Sequence, residues 1–392
     1  MTPSIGTPIP VSDLLAGLFF QKNGEAKERM LNLSGKKYCC FVNSGTTAFF
    51  LSLLALRQND SRTEIILPAY TAPSLILPIK SAGLTPVLCD ISLTTFNMDI
   101  AKIQPLISKN TLAILAVHSF GIPVDMAALR RIASENSIYI IEDAASSFGS
   151  KIDGCYTGSL GDIGFFSFNR GKNITTFSGG CLVLDRYKWF SFISGQISEL
   201  NELTLRQKFL LAAKTGGYTV AIRPVIYSIF EPMIRKFKYH HLHTSFDSFQ
   251  YPKFQSNLAA RVLRDETKIS EQRFQNGGYL YKALFGCPSL QLPDLHPGAR
   301  VVYNQFPLLL EQPAKRDQIH QKLTGAGIEA TVLYPEPIHR IEDPHYLLDY
   351  PVDPDPFPNA TYFSKRLLLI PTHPLVKRKE LEKAAQITRK EL

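Results

Sequence analysis

The sequence predicts an α/β protein built on a mainly parallel β-sheet. In its first half, short apolar segments alternate with amphipathic helical stretches near residues 73–82 and 124–135. Such alternation is typical of parallel sheets that are covered by helices on both faces. The chain has 392 residues and is 45% hydrophobic, which is enough for a sizeable core and for two domains.

Six segments carry the apolar and β-branched residues expected of strands. They are Glu64–Leu67, Thr85–Leu88, Leu112–Val117, Ser137–Ile141, Gly164–Phe168 and Gly180–Leu184. In sheets of this kind, ligands bind beyond the carboxyl ends of the strands. The residues that follow these strands are therefore candidates for a functional site.

The section from about Lys188 to Phe249 is helical and aromatic, and it ends in basic residues. These residues are Arg235, Lys236, Lys238, His240, His241 and His243. One interpretation is a helical excursion that packs on a partner subunit, with its charges solvated. The other is an amphipathic surface for a membrane or a lipid-linked substrate. A long helix is predicted to follow from about Ala259.

Composition excludes several classes of function. The net charge of +9 favours anionic partners, but there is no zinc-finger spacing or RNP-like box, so nucleic-acid binding is not expected. The six cysteines lack metal-binding spacing, which predicts free thiols in a reducing compartment and no metal. The sequence shows neither a basic-then-apolar leader nor an uncharged apolar stretch of roughly 20 residues, so a cytoplasmic protein is expected.

Lys172 and Asp143 are the candidate catalytic residues. The aromatic segment from Gly164 delivers Lys172 into a Gly/Asn-rich turn, and a lysine amine that is held unprotonated can form a Schiff base with a carbonyl. Asp143 ends an apolar segment upstream, where a carboxylate could keep the pyridine nitrogen of pyridoxal phosphate (PLP) protonated. Taken singly, a lysine after a strand is usually solvated, and an aspartate at a strand end is usually a cap.

The segment Asn43–Ala48, which precedes an apolar helical run, adds a candidate phosphate site. Ser44 can cap the helix, and Gly45 permits close approach of a ligand to the backbone. Thr46 and Thr47 add hydroxyl groups where the N-terminus of the helix offers N–H groups and a positive dipole. A helix cap of this type alone binds nothing in most proteins; its order relative to Asp143 and Lys172 gives it weight.

Together these segments resemble the DegT/DnrJ/EryC1/StrS family of PLP-dependent aminotransferases over nearly the whole chain. Further segments that carry the resemblance are Leu67–Thr71, Gly83–Asp90, Val117–Gly121, Tyr334–His339 and Leu369–Pro374. The resemblance implies the fold type I architecture of PLP transferases. It implies a large domain over 1–249 with a mainly parallel seven-stranded sheet, and a smaller C-terminal α+β domain over 250–392.

The resemblance also implies roles for individual residues. Lys172 would carry PLP covalently and move the proton between substrate and cofactor, while Asp143 would pair with the pyridine nitrogen. Gly45, Thr46 and Ser167 match positions that hold the phosphate. On the substrate side the candidates are His118, Tyr334 and His339, and for each of them a purely structural hydrogen bond is an equal alternative.

Several positions depart from the family's pattern. Ser146 stands where Gln or His is usual, beside the cofactor's phenolic oxygen, and Ala72 stands where an aromatic residue often stacks on the ring. Tyr251-Pro252-Lys253 replaces the Asn-Tyr-Arg segment that reaches the neighbouring subunit's phosphate, and Asn169-Arg170-Gly171 precedes the lysine. The chain is therefore interpreted as a divergent member.

The function implied by the resemblance is transfer of an amino group, with glutamate as donor, to a nucleotide-linked keto-sugar for polysaccharide or glycan synthesis. The implied assembly is a homodimer. Two alternatives remain: an aminotransferase acting on a lipid-linked or other non-sugar carbonyl, and a non-catalytic regulatory homologue. Retention of Lys172 counts against the second alternative, and also against the family's dehydratases, in which histidine takes that place.

Overall fold

The computed structural model describes residues 1–19, 24–238, 242 and 244–392, with the backbone alone over 232–238. Its strands are β1 Tyr38–Val42, β2 Glu64–Pro68, β3 Thr85–Cys89, β4 Thr111–Val117, β5 Tyr139–Asp143, β6 Lys151–Ile152, β7 Cys155–Tyr156, β8 Ile163–Ser167, β9 Gly180–Leu184, β10 Leu290–Gln291, β11 Ala299–Arg300, β12 Gln305–Leu310 and β13 Leu367–Pro371. Seven of these form the largest sheet, in the order β1-β9-β8-β5-β4-β2-β3.

This sheet is mainly parallel, as predicted. The pairs β2–β3, β2–β4, β4–β5 and β5–β8 are parallel, whereas β9 runs antiparallel to both of its neighbours, β8 and β1. All six predicted strands are present, with ends that shift by up to two residues. β1, the seventh strand, was not among the segments predicted from the residues.

The largest of these shifts is at Ser137, which was predicted to begin β5. It lies instead in a turn, with a φ of 53°. The N–H of the next residue, Ile138, donates to the Ala133 carbonyl of the preceding helix. The strand therefore begins only at Tyr139, and it extends to Asp143.

Helices cover the sheet and form the section between β9 and β10. They are α1 Val11–Phe19, α2 Glu25–Ser34, α3 Gly45–Arg57, α4 Ile76–Ser81, α5 Met126–Glu135, α6 Tyr187–Glu199, α7 Leu205–Ala221, α8 Pro224–Lys238, α9 Lys253–Arg264, α10 Glu266–Leu284, α11 Pro313–Gly325, α12 Pro358–Ser364 and α13 Arg378–Glu391. The helix expected from Ala259 begins six residues earlier, at Lys253, and is interrupted at Asp265.

Two smaller sheets complete the fold. β10, β12 and β13 form an antiparallel sheet beside α10, α11 and α13, and β6, β7 and β11 form the other. One apolar cluster contains residues of the seven-stranded sheet and of the β10-β12-β13 sheet, for example Leu67 in β2 and Leu368 in β13. Because the core is continuous across the two parts, the boundary at residue 249 stays a prediction.

The helical section confirms the change in character predicted after Lys188, since α6, α7 and α8 follow one another there. His240, His241 and His243 lie outside the described residues, as do the side chains of Arg235, Lys236 and Lys238. Within the part of the chain that is described, no helix is both long and apolar enough to span a lipid bilayer.

Candidate active site

A cavity of about 220 Å³ lies where the strands of the large sheet end. One wall comes from residues that follow β1, β2, β4, β5 and β8, and the other from β12, β13 and the 333–334 segment. The lining includes Ser44, Gly45, Thr46, Tyr70, Thr71, Ala72, His118, Asp143, Ser146, Ser167, Lys172, Asn304, Gln305, Leu333, Tyr334 and Leu369. The structure thus brings all the predicted cofactor residues to one cavity.

The N-terminus of α3 forms one end of this cavity. The Ser44 side chain caps the helix by accepting a 3.0 Å hydrogen bond from Thr47 N. Gly45 packs against the end of β8, and a Cβ at this position would lie 2.9 Å from Ser167 Cβ. Only glycine permits this contact, which leaves Thr46 and Ser167 facing one space beside a helix N-terminus.

Asp143 is the last residue of β5, and its side chain is buried in the cavity wall. Its Oδ1 accepts a 2.9 Å hydrogen bond from Ala145 N. Burial raises the pKa of Asp143, while the Lys172 ammonium and the Ala145 N–H act in the opposite direction. The carboxylate is therefore held at a fixed place and lacks the solvation it would have in water.

His118 and Glu142 form a fully buried pair next to Asp143. His118 Nδ1 accepts a hydrogen bond from Val124 N, so Nε2 carries the proton and donates to Glu142 Oε2 at 2.9 Å. Burial raises the pKa of Glu142, but hydrogen bonds from His118 and from the Gly158 and Gly161 amides outweigh this effect and lower it overall. Because both ring nitrogens are engaged within the protein, His118 is placed to position the end of β5.

Lys172 lies in the loop after β8 and is half-buried. Its Nζ donates a 3.1 Å hydrogen bond to Ser146 Oγ. Burial lowers the pKa of Lys172, and the nearby Asp143 carboxylate offsets part of this shift. The environment therefore favours the neutral amine that nucleophilic attack on a carbonyl requires.

The Lys172 loop is tied to the opposite wall through the N-terminal segment. The Thr7 hydroxyl donates to the carbonyls of Lys172 and Asn173, at 3.0 and 2.8 Å. Thr7 Oγ1 in turn accepts a 2.9 Å hydrogen bond from the fully buried Arg273, which also donates to the Asn304 carbonyl at 2.9 Å. Arg273 and Thr7 thus fix the distance between the lysine loop and the wall formed by Asn304.

Tyr334 lines the cavity, as predicted for a substrate-side residue. Its backbone N–H and carbonyl both bond to the Tyr70 hydroxyl, at 3.3 Å each, which joins the two walls. Burial, and secondly the Asp143 carboxylate, raise the pKa of Tyr334. The Tyr334 hydroxyl therefore stays protonated at neutral pH and can donate a hydrogen bond.

His339, the third substrate-side candidate, lines neither this cavity nor the larger one beside it. Its Nε2 lies 3.0 Å from Asp355 Oδ1. Burial lowers the pKa of His339, although the Asp355 carboxylate works in the opposite direction. A direct contact between His339 and a substrate stays a prediction.

The larger cavity, of about 940 Å³, adjoins the first and shares Ala72, Gln305 and Tyr334 with it. Glu336, Arg340 and Glu342 also line it. Its size suits a ligand much larger than an amino acid, and the shared residues connect it to the cavity that Lys172 lines.

The structure also locates the residues at which the sequence departs from the pattern of the family it resembles. Ala72 lines both cavities, so no aromatic side chain stands there. The Tyr251 hydroxyl bonds to Thr176 Oγ1 at 2.7 Å. Lys253 is exposed at the first residue of α9 and lines neither cavity of the single chain.

Sequence reasoning missed the residues that complete the opposite wall. Asn304, Gln305, Thr7 and Arg273 lie far from the motifs along the chain and carry no local signal. Tyr70 could have been found, because it lies inside the quoted segment Leu67–Thr71.

These features fit the predicted cofactor. A ring with a phosphate arm needs an anion-binding end, a carboxylate at its nitrogen and an amine at its carbonyl. The Gly45–Ser167 contact, Asp143 and Lys172 supply these three elements in one cavity. Among the described residues, no group of three or more His, Cys, Asp and Glu side chains is arranged to hold a metal ion.

The chain is similar to known proteins over most of its length. The sequence profile of the DegT/DnrJ/EryC1/StrS aminotransferase family matches residues 20–189 and 235–389. The UDP-N-acetyl-3-dehydro-α-D-glucosamine 3-aminotransferase of Acidithiobacillus ferrooxidans is 27% identical over 383 residues, which is 96% of this chain and 90% of the relative.

A second relative and a solved structure are also similar to this chain over most of its length. The dTDP-3-amino-3,4,6-trideoxy-α-D-glucose transaminase of Streptomyces venezuelae is 28% identical over 338 residues, 86% of this chain and 78% of that protein. The GDP-4-keto-6-deoxy-D-mannose 3-dehydratase of Escherichia coli, solved with hydrated PLP bound, superposes with a TM-score of 0.76 over 98% of this chain and 100% of its own, at 19% identity. That structural likeness shows the fold.

Proposed function

Because the chain belongs to the DegT/DnrJ/EryC1/StrS aminotransferase family, we propose that it transfers an amino group from glutamate to a nucleotide-linked keto-sugar, with PLP as cofactor. The product would serve polysaccharide or glycan synthesis. The observation that carries the proposal is the shared cavity of Lys172 and Asp143, which adjoins a second cavity of about 940 Å³. The relatives named as sugar-nucleotide aminotransferases support this substrate class over a lipid-linked carbonyl.

PLP, when bound, supplies a carbonyl that captures amines and a ring that withdraws electrons. Lys172 would attach the cofactor through Nζ and then carry a proton at the same atom. Burial lowers the pKa of Lys172, which shifts the amine toward the neutral form that both steps use. Asp143 would keep the ring nitrogen protonated by accepting a hydrogen bond from its N–H group, because a buried carboxylate favours a cationic partner.

The remaining residues bind and orient. The α3 N-terminus with Thr46, together with Ser167, would bind the phosphate, and Gly45 allows the close approach. Ser146 would orient the Lys172 amine by its hydrogen bond. Tyr334 would donate a hydrogen bond to the substrate, and His118 would hold the end of β5 in place through Glu142.

We place the reaction in the cytoplasm of the cell and assign a homodimeric assembly. Support for the compartment comes from Cys39, Cys40, Cys89 and Cys181, which are free and buried, as expected where thiols stay reduced. Support for the dimer is the prevalence of symmetric two-fold assemblies among soluble oligomers, together with the resemblance.

The test is a transamination assay with the purified protein, PLP and glutamate. UDP-, GDP- and dTDP-linked keto-sugars would each be supplied, with small α-keto acids as the comparison. We expect mass spectrometry to detect an amino-sugar nucleotide with at least one of the keto-sugars, and no product with the Lys172→Ala variant. Amination of the keto acids alone would contradict the sugar-nucleotide assignment.

A further inference from the structure

The helices that follow the large sheet carry apolar side chains on their outer face. In α7, Leu205, Phe209 and Val220 are 85%, 73% and 49% exposed. They lie at helical spacings that bring them to one face, while Thr215 and Thr219 point inward. Water-soluble helices normally show the reverse pattern, with polar residues outward.

The neighbouring helices extend this exposed surface. α8 packs on α7 and exposes Val225 and Ile229, which are four residues apart, at 78% and 70%. α1 also packs on α7. We call the exposed apolar side chains of these three helices the apolar helical surface. Its members are Val11, Leu15, Leu18, Phe19, Leu205, Phe209, Leu210, Val220, Val225, Ile229 and Phe230.

Most of the exposed apolar residues of the chain are gathered here. Of seventeen large apolar side chains that are exposed among the described residues, eleven belong to the apolar helical surface. Scattered exposed apolar residues are ordinary, whereas a concentration of them marks a site of interaction.

Basic residues accompany the apolar ones. Arg206 and Lys214 are exposed on α7, and Arg223 is exposed between α7 and α8. From residue 205 to residue 238 the sequence holds seven lysines and arginines and one acidic residue, Glu231. Apolar anchors with a basic surround are the composition of helices that lie in the interface of an anionic bilayer.

Much of this section lies outside the part of the chain that the family profile matches. The family profile matches residues 20–189 and 235–389, which leaves 190–234 unmatched. The unmatched residues include all of α7 and the described, exposed apolar residues of α8. These parts of the apolar helical surface therefore lie where the profile makes no match.

We propose that the apolar helical surface binds the surface of a membrane that contains anionic lipids. Leu205, Phe209, Val225 and Ile229 would enter the boundary between headgroups and acyl chains, and the basic residues would contact the lipid phosphates. A second copy of the chain fits less well, because a two-fold contact through this surface would bring two strongly basic segments together.

The surface is joined to the active site. The Tyr218 hydroxyl of α7 donates to the Thr7 carbonyl at 3.4 Å, and Thr7 holds the Lys172 loop. Ile222 packs so closely on Gly6 that a Cβ there would overlap it. Membrane binding would therefore hold the enzyme through a section that contacts the Lys172 loop by way of Tyr218 and Thr7.

The test is co-sedimentation of the full chain with vesicles of phosphatidylcholine, alone or mixed with phosphatidylglycerol. We expect binding to the mixed vesicles, weakened when NaCl is raised from about 0.1 M to about 0.5 M. The double variant Phe209→Glu, Ile229→Glu should bind at least about tenfold more weakly. Phe285→Glu is the matched control, since Phe285 is 68% exposed elsewhere and should bind as the unmodified protein does.

Folding is checked by circular dichroism and thermal melting, and the double variant Arg206→Glu, Lys214→Glu tests the charges without changing an apolar residue. It should lose binding to the anionic vesicles while its melting temperature is kept. Absence of binding by the unmodified chain to either vesicle would overturn the proposal. So would conversion of an oligomer to a monomer by Phe209→Glu, Ile229→Glu without vesicle binding, which would assign the surface to a second copy.

Discussion

The Nζ atom of Lys172 donates a 3.1 Å hydrogen bond to Ser146 Oγ. In the family that the sequence resembles, Gln or His is usual at the position of Ser146. Here the shorter serine side chain contacts the lysine amine directly. The hydroxyl fixes where the amine points, which bears on how readily it reaches a carbonyl.

Replacing Ser146 should weaken this arrangement without unfolding the protein. Ser146→Ala removes the acceptor, and the loss of one hydrogen bond to a charged or reacting group corresponds to about 1–2 kcal/mol, or roughly five- to thirtyfold in kcat/KM. Ser146→Thr keeps the hydroxyl and is the control. Steady-state kinetics with both variants would test this, and equal rates for Ser146→Ala and the unmodified protein would remove Ser146 from the role.

Asp143→Asn should leave the chain folded and able to bind PLP, yet slow transamination by about 10²- to 10³-fold, the scale of one preorganised electrostatic contact. The amide cannot stabilise a positive ring nitrogen. Single-turnover kinetics on the loaded variant would measure this loss. Near-normal turnover would show that another group holds the nitrogen.

The same substitution should shift a pH dependence. The Asp143 carboxylate raises the pKa of Lys172 against the larger lowering caused by burial, so its removal should lower that pKa further. The neutral amine would then persist to lower pH, and the acid limb of PLP attachment to the apoprotein should move toward lower pH. Borohydride trapping over a pH series would follow it. The control is Asp265→Asn, at a side chain that is 41% exposed and outside the cavity, and it should not move the limb.

Arg273 should be important for stability. Burial lowers its pKa to about 9, so the guanidinium is still charged at neutral pH, and it donates to Thr7, Asn304 and Tyr303. Arg273→Met leaves these buried acceptors without a donor and should cost about 3 kcal/mol of unfolding free energy. In urea unfolding, Arg378→Met, which removes an exposed pair with Glu382, should cost less than about 1 kcal/mol.

Lys253 tests whether the cofactor site is shared between two chains. It lines neither cavity of its own chain, but the family resemblance implies a contact from this position to the neighbouring subunit's phosphate. Lys253→Ala should weaken PLP retention while leaving the proposed dimer intact by sedimentation. Mixing Lys253→Ala with Lys172→Ala chains should restore activity through hybrids that have one intact site. Activity no greater than the sum of the two parents would exclude Lys253 from a shared site.

Much of the site could be predicted from sequence because its parts follow strands. Asp143 ends β5 and Gly45 follows β1, and the geometry of a parallel sheet brings strand ends to one edge. The periodic apolar pattern likewise located six of the seven strands, whereas β1, which ends two residues before the Ser44 cap, was not predicted.

The rest depends on contacts between distant segments. Arg273 meets Thr7 across 266 positions of sequence, and Tyr334 meets Tyr70 across 264. No local pattern records such pairs. The roles of His118 and His339 were equally hidden, because a histidine's hydrogen-bond partners, here Glu142 and Asp355, decide whether its nitrogens are free for a substrate.

Lys172 is the residue that we propose to hold the cofactor. The most direct measurement is borohydride reduction of the PLP-loaded protein followed by peptide mapping. We predict a near-visible absorption band that reduction removes, with the label on the peptide that contains Lys172, and neither attachment nor transamination in Lys172→Ala. A label on a peptide from elsewhere in the chain would contradict the account.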